Sequence, residues 1–233
     1  MAIALVTGAT EGIGRATAFA LGRAGFAVGV CARTASKVAA LLADLRQAGI
    51  EAAGRPADVG DPDDVDRLVA EVERQLGPVD VLVNNAGVLI GKKLEDLTLE
   101  DWDVTMATNV RSLFLVIRRV LPGMRERRHG TIVNVASVSG KFGFVGGTAY
   151  AASKHAVMGF SRSLMLETRR DGVRVVAICP GSVATAMLQD QPLLKSDPGR
   201  ILQPEDVAES ILLAVRLPAR ALVNELEIRP TDP

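Results

Sequence analysis

Tyr150 and Lys154 carry the two side chains in this sequence whose spacing best suits acid–base chemistry. The phenol, from the only tyrosine in the chain, and the ammonium are four residues apart in the run Tyr150-Ala-Ala-Ser-Lys154. On a helix, this spacing places both groups on one face. A neighbouring cation stabilises a phenolate, so we expect Lys154 to lower the Tyr150 pKa from its usual value of about 10. A surface Tyr–Lys pair would show the same spacing, so other residues must decide.

Three further polar features accompany this pair, and two of them follow strands where a parallel sheet would bring them together. Ser137 is 13 positions before Tyr150 and follows the strand-like run Thr131–Val135. The turn Asn84-Asn85-Ala86-Gly87 follows another apolar run, and ligands bind at the carboxyl ends of parallel strands. Asn109 lies within a long helical pattern, where asparagine is unfavourable. Packing alone does not explain this set, so we expect a catalytic site at one edge of a sheet.

A glycine-rich turn follows the first strand-like run and leads directly into a helical pattern. It contains Thr7, Gly8, Thr10, Gly12, Ile13 and Gly14. Glycines there allow the backbone to approach a pyrophosphate, and a helix N-terminus offers free N–H groups and a positive dipole end. Between a strand and a helix, the turn predicts a dinucleotide site, although its spacing differs from G-x-G-x-x-G.

The end of the second strand-like run indicates which dinucleotide is preferred. An acidic residue there would bind a ribose 2′-hydroxyl and favour NAD, but the chain has Ala32 followed by Arg33. A planar guanidinium can bind two oxygens of a 2′-phosphate, so we predict NADP, with NAD as the alternative. A solvated loop arginine is the other interpretation of Arg33. Glu11 opposes the prediction, because a carboxylate about 4 Å from the phosphate would repel it by roughly 1–4 kcal/mol.

Strand-like and helix-like segments alternate along the chain. Seven β-branched runs predict strands at Ile3–Thr7, Ala27–Cys31, Ala52–Ala57, Val79–Asn84, Thr131–Val135, Val173–Cys179 and Leu222–Ile228. Helical patterns predict helices at Ile13–Ala24, Lys37–Ala48, Pro62–Leu76, Leu99–Arg127, Ala149–Arg170 and Glu205–Leu217. The alternation predicts an α/β fold with a doubly wound, seven-stranded parallel sheet and helices on both faces. An N-cap at Asp61 and a capping box at Thr98 support two helix starts.

Composition sets the wider limits. A length of 233 residues suits one domain at 1–233, and 48% apolar but 3% aromatic residues require an aliphatic core. Because 27 basic and 27 acidic side chains cancel, no charge excess favours nucleic acid or a membrane surface as partner. Cys31 and Cys179 are expected to be buried free thiols rather than a disulfide. No metal site, signal peptide or membrane span is indicated, which predicts a cytoplasmic protein.

Over essentially its whole length the chain resembles the short-chain dehydrogenase/reductase (SDR) family, of the short single-domain type with a Rossmann-type fold. The residues that carry the resemblance are the glycine turn at 7–14, Asn84-Asn85-Ala86-Gly87, Asn109, Ser137, Tyr150-x3-Lys154, and Pro180-Gly181 with Thr185. A set this long, in this order, is more specific than fold analogy. It implies an oxidoreductase that interconverts a carbonyl (ketone or aldehyde) and an alcohol by hydride transfer with a nicotinamide cofactor.

The resemblance also implies a role for each site residue. Tyr150 would be the general acid or base, and Ser137 would hydrogen-bond the substrate oxygen. Lys154 would lower the Tyr150 pKa and hold the nicotinamide ribose, while Asn109 would bend its helix and anchor a proton-relaying water. The implied cofactor contacts are Gly8, Thr10, Gly12, Ile13, Gly14, Arg33, Asp58 near the adenine, Asn84, Ala86, Gly87, Tyr150, Lys154, Pro180, Gly181 and Thr185.

Relatives of this type form dimers or tetramers through two long helices, here Leu99–Arg127 and Ala149–Arg170, so the resemblance implies a homo-oligomer. Val157, Phe160, Leu164 and Leu166 suit either such an interface or the interior. The segment Met187–Leu202 falls where the family has its substrate lid, and its composition suggests a mobile flap. The ending 224–231 resembles general oxidoreductases of the family and argues against an acyl-carrier-protein reductase.

The substrate itself is less defined. Its pocket would be largely apolar, with Lys141 as a candidate anchor for an anionic group; the candidate wall residues are Leu89, Ile90, Phe142, Phe144, Val145 and Met187. Two other functions fit the fold. A dinucleotide-binding regulator without catalysis is disfavoured because both Tyr150 and Lys154 are present. Enoyl reductases commonly space this pair more widely, and epimerases need a longer substrate region.

Overall fold

A seven-stranded sheet forms the centre of the computed structural model, which describes residues 1–191, 193 and 197–231. Its strands are β1 (Ile3–Thr7), β2 (Ala27–Ala32), β3 (Ala52–Pro56), β4 (Val81–Asn84), β5 (Gly130–Val135), β6 (Val173–Pro180) and β7 (Glu225–Ile228). All neighbours are parallel, in the order β3-β2-β1-β4-β5-β6-β7. The predicted doubly wound sheet is confirmed, and the strand order reverses between β1 and β4.

Eight α-helical segments occur in the described ranges. They are α1 (Gly12–Arg23), α2 (Ala35–Gln47), α3 (Pro62–Gln75), α4 (Leu99–Met106), α5 (Ser112–Glu126), α6 (Thr148–Thr168), α7 (Ala186–Gln189) and α8 (Pro204–Arg216). A π-helical turn, Ala107–Arg111, joins α4 to α5 where one uninterrupted helix was expected. The short helix α7 was not predicted either.

Helix caps fix two of the predicted starts. The Asp61 carboxylate accepts a hydrogen bond from the Asp64 N–H at 2.9 Å, with Pro62 in the first helical position of α3. At the start of α4, Thr98 Oγ1 accepts from the Asp101 N–H at 3.1 Å, and Asp101 Oδ2 accepts from the Thr98 N–H at 3.0 Å. The predicted capping box is therefore present, with Asp in place of the usual Glu.

The core consists of two aliphatic clusters, because successive strand residues point to opposite faces of the sheet. Leu5 and Leu82 belong to one cluster, with side chains from α3, α5 and α6. Val6 and Val83 belong to the other, with side chains from α1, α2 and α8. Both faces of the central strands are thus buried, which holds their carboxyl ends in a fixed arrangement.

β7 is shorter than expected, because its pairing with β6 begins only at Glu225 rather than at Leu222. Cys31 and Cys179 are buried free thiols. No helix within the described part of the chain has the length and apolarity needed to span a membrane. The segment predicted to be a flap, Met187–Leu202, lies partly outside the described residues.

Candidate active site

The first cavity of the site opens at the carboxyl ends of β1, β2 and β4, where the strand order reverses. Its volume is ≈ 310 Å³, and the predicted cofactor residues in its lining are Gly8, Thr10, Gly12, Ile13, Arg33, Asp58, Ala86, Gly87 and Thr185. Residues from five separate parts of the sequence thus converge on one cleft, which we call the cofactor cleft.

The glycine turn has the backbone geometry that a phosphate-binding loop needs. Gly8 and Gly12 have φ of +61° and +50°, in the left-handed region that favours glycine. Gly14 does not line the cleft. A Cβ at Gly14 would lie 2.2 Å from the Gly8 carbonyl oxygen and 2.5 Å from Asn85 Nδ2, so this glycine allows α1 to begin directly against the loop.

Asn85, which was not predicted as a site residue, holds the loops after β1 and β4 together. Its Nδ2 donates to the carbonyl oxygens of Thr7 and Gly8, each at 3.0 Å. Thr7 Oγ1 in turn accepts from the N–H groups of Asn85 and Ala86, at 3.0 and 3.1 Å. Asn85 also lines the cleft, so its position beside the glycine turn was the signal that could have identified it.

Asn84 occupies a different place from the one expected. Its side chain is buried and lines neither cavity of the site. Nδ2 donates to Asn134 Oδ1 at 2.9 Å, and Asn134 Nδ2 donates to Ser161 Oγ at 2.9 Å. The Asn84 side chain therefore joins β4, β5 and α6 in a buried polar chain instead of facing the cofactor cleft.

The charged residues of the cleft lie at the end formed after β2, which we call the adenosine end because the adenosine is expected there. Arg33 is exposed, and its side chain makes no hydrogen bond or ion pair with the described residues. Glu11, the residue expected to oppose a 2′-phosphate, forms an ion pair with Lys37, and both line the cleft. The Glu11 charge is thus already matched by a cation of this chain.

A second cavity, of ≈ 300 Å³, adjoins the cleft at the ends of β5 and β6. The two cavities share Ile13, Asn85, Gly87, Thr185 and Met187. The second is also lined by Ser137, Tyr150, Lys154, Pro180 and Gly181. The structure therefore brings three of the four predicted catalytic side chains together beside the cofactor cleft, and we call this the substrate cavity.

Tyr150 lies in the first turn of α6, and Lys154 follows one turn later. Lys154 Nζ is 5.6 Å from the centre of the Tyr150 ring, and the Phe144 ring packs edge-on against that ring at 6.2 Å between centroids. Burial raises the pKa of Tyr150, and a hydrogen bond with Ser137 opposes this rise. Burial outweighs the hydrogen bond, so the net shift is upward, whereas a lowering by Lys154 was expected.

The buried surroundings of Lys154 disfavour its positive charge. Its side chain is 5% exposed, and Nζ donates to the Val135 carbonyl oxygen at 2.9 Å. Burial disfavours the ammonium and lowers the pKa of Lys154 to about 8. The hydrogen bond holds Nζ close to the cleft, since a Cβ added at Gly87, which lines the cleft, would lie 3.8 Å from it.

Ser137 follows β5 and is buried. Its hydroxyl accepts a hydrogen bond from the Ser139 N–H at 3.0 Å, and it contacts the Pro180 carbonyl oxygen at 3.5 Å. The serine also starts the short 3₁₀ turn Val138–Gly140. These contacts leave the hydroxyl at the wall of the substrate cavity, next to the Tyr150 phenol.

Asn109 lies in the π-helical turn, so the helix is distorted at this residue. Its Oδ1 accepts from the Val88 N–H at 2.8 Å, and its Nδ2 donates to the Val88 carbonyl oxygen at 2.9 Å and to Ser153 Oγ at 3.0 Å. Asn109 lines neither cavity. Its side chain ties the loop after β4 to the helix that carries Tyr150 and Lys154.

The wall of the substrate cavity is only partly as expected. Leu89, Phe144 and Met187 line it, whereas Phe142 and Val145 are 59% and 75% exposed. Ile90 is also absent from the lining.

Lys141 was considered as an anchor for an anionic group. Its ammonium forms ion pairs with Glu225 and Glu227 of β7, and it does not line the cavity. Among the described residues of this lining, Lys154 is the charged side chain, and the remainder is neutral.

Comparison with known proteins agrees with this geometry. Residues 2–193 match the family model described as short chain dehydrogenase. A Streptomyces coelicolor protein provisionally named a ketoacyl reductase is 42% identical, over 96% of this chain and 93% of its own. A 3-oxoacyl-[acyl-carrier-protein] reductase from Synechocystis is 37% identical, over 95% of this chain and 92% of its own.

A crystal structure of an actinorhodin polyketide ketoreductase variant with NADPH superposes with a TM-score of 0.90 at 40% identity, covering 97% of this chain and 95% of the other. The fold and the oxidoreductase class predicted from the motifs are confirmed. The chain belongs to the short-chain dehydrogenase family.

Proposed function

We propose that this protein is an NADPH-dependent reductase that converts the ketone of an apolar ketoacyl substrate into a secondary alcohol. One observation carries the proposal: Ser137, Tyr150 and Lys154 meet in a single cavity that adjoins a glycine-lined cleft. Hydroxyl donors beside a cofactor cleft are the arrangement that carbonyl reduction requires, because negative charge develops on the carbonyl oxygen.

The cleft fits a dinucleotide on the geometry of this chain. Gly8 and Gly12 adopt φ values that keep the turn tight, and Gly14 lets α1 start against it, so first-turn N–H groups face the space where a pyrophosphate would lie. Arg33 would receive the 2′-phosphate, and Asp58 lies at the adenine end. The other residues that would hold the cofactor are Thr10, Ile13, Ala86, Gly87, Lys154, Pro180, Gly181 and Thr185.

NADPH would supply the hydride for the carbonyl carbon, and the chain supplies the rest. Ser137 and Tyr150 donate hydrogen bonds to the carbonyl oxygen, and Tyr150 gives its phenolic proton to that oxygen as the alcohol forms. Lys154 stabilises the resulting tyrosinate, because its ammonium is held within one helical turn of the phenol. Asn109 positions this helix through Ser153 and Val88.

The choice of NADP rests on charge at the adenosine end. Arg33 is exposed and unpaired among the described residues, and Glu11, which argued against NADP, is matched by Lys37. The similar ketoreductase carries NADPH in its crystal structure, and a serine dehydrogenase that is 33% identical carries NADP⁺ in its closed form. Both observations support a 2′-phosphate in this cleft.

The substrate class rests on the lining of the substrate cavity and on the relatives. Leu89, Phe144, Val138 and Met187 make the wall apolar, so a neutral carbon chain or ring would be desolvated favourably there. The relatives include ketoacyl reductases.

We further propose that one domain, 1–233, carries both functions, that the protein acts in the cytoplasm, and that it forms a homo-oligomer. The buried free thiols Cys31 and Cys179 support a reducing compartment. Exposed apolar side chains on α4, α5 and α6 support self-association.

The test is the variant Tyr150→Phe, assayed with a panel of ketones, ketoacyl thioesters and aldehydes. We expect NADPH oxidation to fall at least a thousandfold, while NADPH binding measured by calorimetry stays within a few-fold of the parent protein. The removed hydroxyl takes part in proton transfer but not in holding the dinucleotide phosphates. Equal loss of turnover and of cofactor binding would contradict the proposal, as would turnover that survives the substitution.

A further inference from the structure

The adenosine end of the cofactor cleft contains four charged side chains. In the described lining, Arg33 and Lys37 are the cations, and Glu11 and Asp58 are the carboxylates. The net charge of this lining is therefore zero with Lys37 present, and it would be −1 without it. Since a 2′-phosphate is a dianion at neutral pH, a lining of net charge −1 would repel it, whereas the neutral lining with Lys37 does not.

The pair between Lys37 and Glu11 connects the two elements that form the corner. Glu11 is the N-cap residue of α1, and Lys37 lies in the first turn of α2. Glu11 makes no side-chain bond to its own helix, so its carboxylate is committed to Lys37 rather than to the N–H groups of α1. Those N–H groups remain free for a ligand phosphate, and the Lys37 ammonium is held over the cleft.

Both side chains of the pair are exposed to solvent, so Lys37 can leave Glu11 for another acceptor. The side chains of Lys37 and Glu11 are 54% and 57% exposed, and an ion pair in such a position is weak. A phosphate dianion that also binds the Arg33 guanidinium is a stronger acceptor for Lys37 than one carboxylate is. An ammonium on a four-carbon stem can change acceptor without moving the backbone.

We propose that Lys37 is a specificity-determining residue for the 2′-phosphate, held beside Arg33 by Glu11 and transferred to the phosphate when the cofactor binds. The proposal rests on the proposed use of NADPH and names the second cation of that site. Glu11 then pairs with Lys37 only while no cofactor is bound. This explains how the glycine turn of an enzyme that binds a 2′-phosphate can contain a carboxylate.

The pyrophosphate would lie at the glycine turn rather than beside Arg33 and Lys37. Two small probes can therefore distinguish binding of the 2′-phosphate from binding of the rest of the nucleotide. Adenosine 2′,5′-bisphosphate and 5′-AMP differ only in the 2′-phosphate, and both can be titrated calorimetrically into the full chain. The variants are Lys37→Met and Glu11→Gln. Lys93→Met is the matched control, since Lys93 is exposed, carries the same charge and does not line the cleft.

We expect the parent protein to bind the bisphosphate at least tenfold more tightly than 5′-AMP. Lys37→Met should weaken bisphosphate binding at least tenfold and leave 5′-AMP binding within twofold. Glu11→Gln should strengthen bisphosphate binding several-fold, because Lys37 is then released from its competing partner. Lys93→Met should behave as the parent protein does.

Two different failures can be told apart. If the parent protein binds both probes equally, the use of a 2′-phosphate is overturned, and the role of Lys37 with it. If the parent prefers the bisphosphate but Lys37→Met retains the preference, or weakens both probes alike, then only the role of Lys37 is overturned.

Discussion

At the scale of single residues, Lys154 shows how function and stability oppose each other in this site. Its ammonium is almost completely buried, and burial lowers its pKa from 10.5 to about 8. Since one pKa unit corresponds to about 1.4 kcal/mol, keeping this side chain charged at neutral pH destabilises the folded protein by about 3 kcal/mol. The proposed mechanism needs this cation, because a tyrosinate formed at Tyr150 during reduction would require a counter-charge.

This opposition predicts a pH-dependent effect of Lys154→Met. The folded pKa lies below the unfolded one, so wild-type stability rises as the pH increases from about 8 to 10.5, where the unfolded chain binds more protons. The variant lacks this gain. We therefore expect the unfolding free energy of the variant, relative to wild type, to fall by about 3 kcal/mol across that window. Urea unfolding at fixed protein concentration measures it, and a difference independent of pH would contradict the buried charge.

Tyr150 permits a second test, because it is the only tyrosine in the chain. Burial raises its pKa and the Ser137 hydrogen bond lowers it, so the ultraviolet tyrosinate transition should lie above pH 10 in the protein without ligands. Ser137→Ala should move it higher still. Circular dichroism at each pH identifies any alkaline unfolding, and a transition below pH 10 in the folded protein would show that Lys154 dominates after all.

At the scale of elements, regular segments were predictable and irregular ones were not. Buried β-branched runs such as Ile3–Thr7 have strand boundaries that agree with the sequence, because both of their faces are covered by helices. The π-helical turn at Ala107–Arg111 has no periodic signature of its own. Asn109 was nevertheless recognisable as unfavourable in a helix, and its three hydrogen bonds supply the reason that sequence alone lacked.

The candidate site was predictable to the extent that its residues follow strand ends. Ser137 and the glycine turn were found in this way. The pairing of Glu11 with Lys37 was not, since the two residues are 26 positions apart and meet only when α1 and α2 pack side by side. Asn84 and Asn85 are adjacent in sequence, and only the alternation of strand faces decides that Asn85 reaches the cleft while Asn84 points into the core.

The start of α1 leads to a prediction about two glycines in helices. Gly14→Ala would place a Cβ 2.2 Å from the Gly8 carbonyl oxygen, so the phosphate loop must shift. We expect NADPH affinity to fall at least tenfold. Gly159→Ala in α6 is the control, because no atom lies within 4 Å of its added Cβ, and alanine there should stabilise the helix by up to about 1 kcal/mol. Calorimetric titration and thermal melting test both; unchanged NADPH affinity in Gly14→Ala would contradict the close packing.

At the scale of the whole molecule, the proposed reaction does not account for the apolar side chains exposed on α4, α5 and α6. Of the four apolar positions considered for an interface, Val157 and Leu164 are buried and Phe160 packs against the core, whereas Leu166 is 57% exposed. Leu99 on α4 and Phe114 on α5 are also exposed, by 76% and 44%. These exposed apolar side chains support the proposed self-association, in which a second copy of the chain would cover them.

The double variant Phe114→Glu/Leu166→Glu tests this arrangement. In a symmetric interface each added charge would be doubled and would lose its hydration, so we expect the proposed oligomer to dissociate to at most half its mass. Sedimentation velocity measures the mass, and circular dichroism checks that the fold is kept. Ala40→Glu, at an exposed position of α2, adds charge away from this surface and should retain the parent mass. A monomeric parent protein, or a double variant with unchanged mass, would show that these helices do not form the interface.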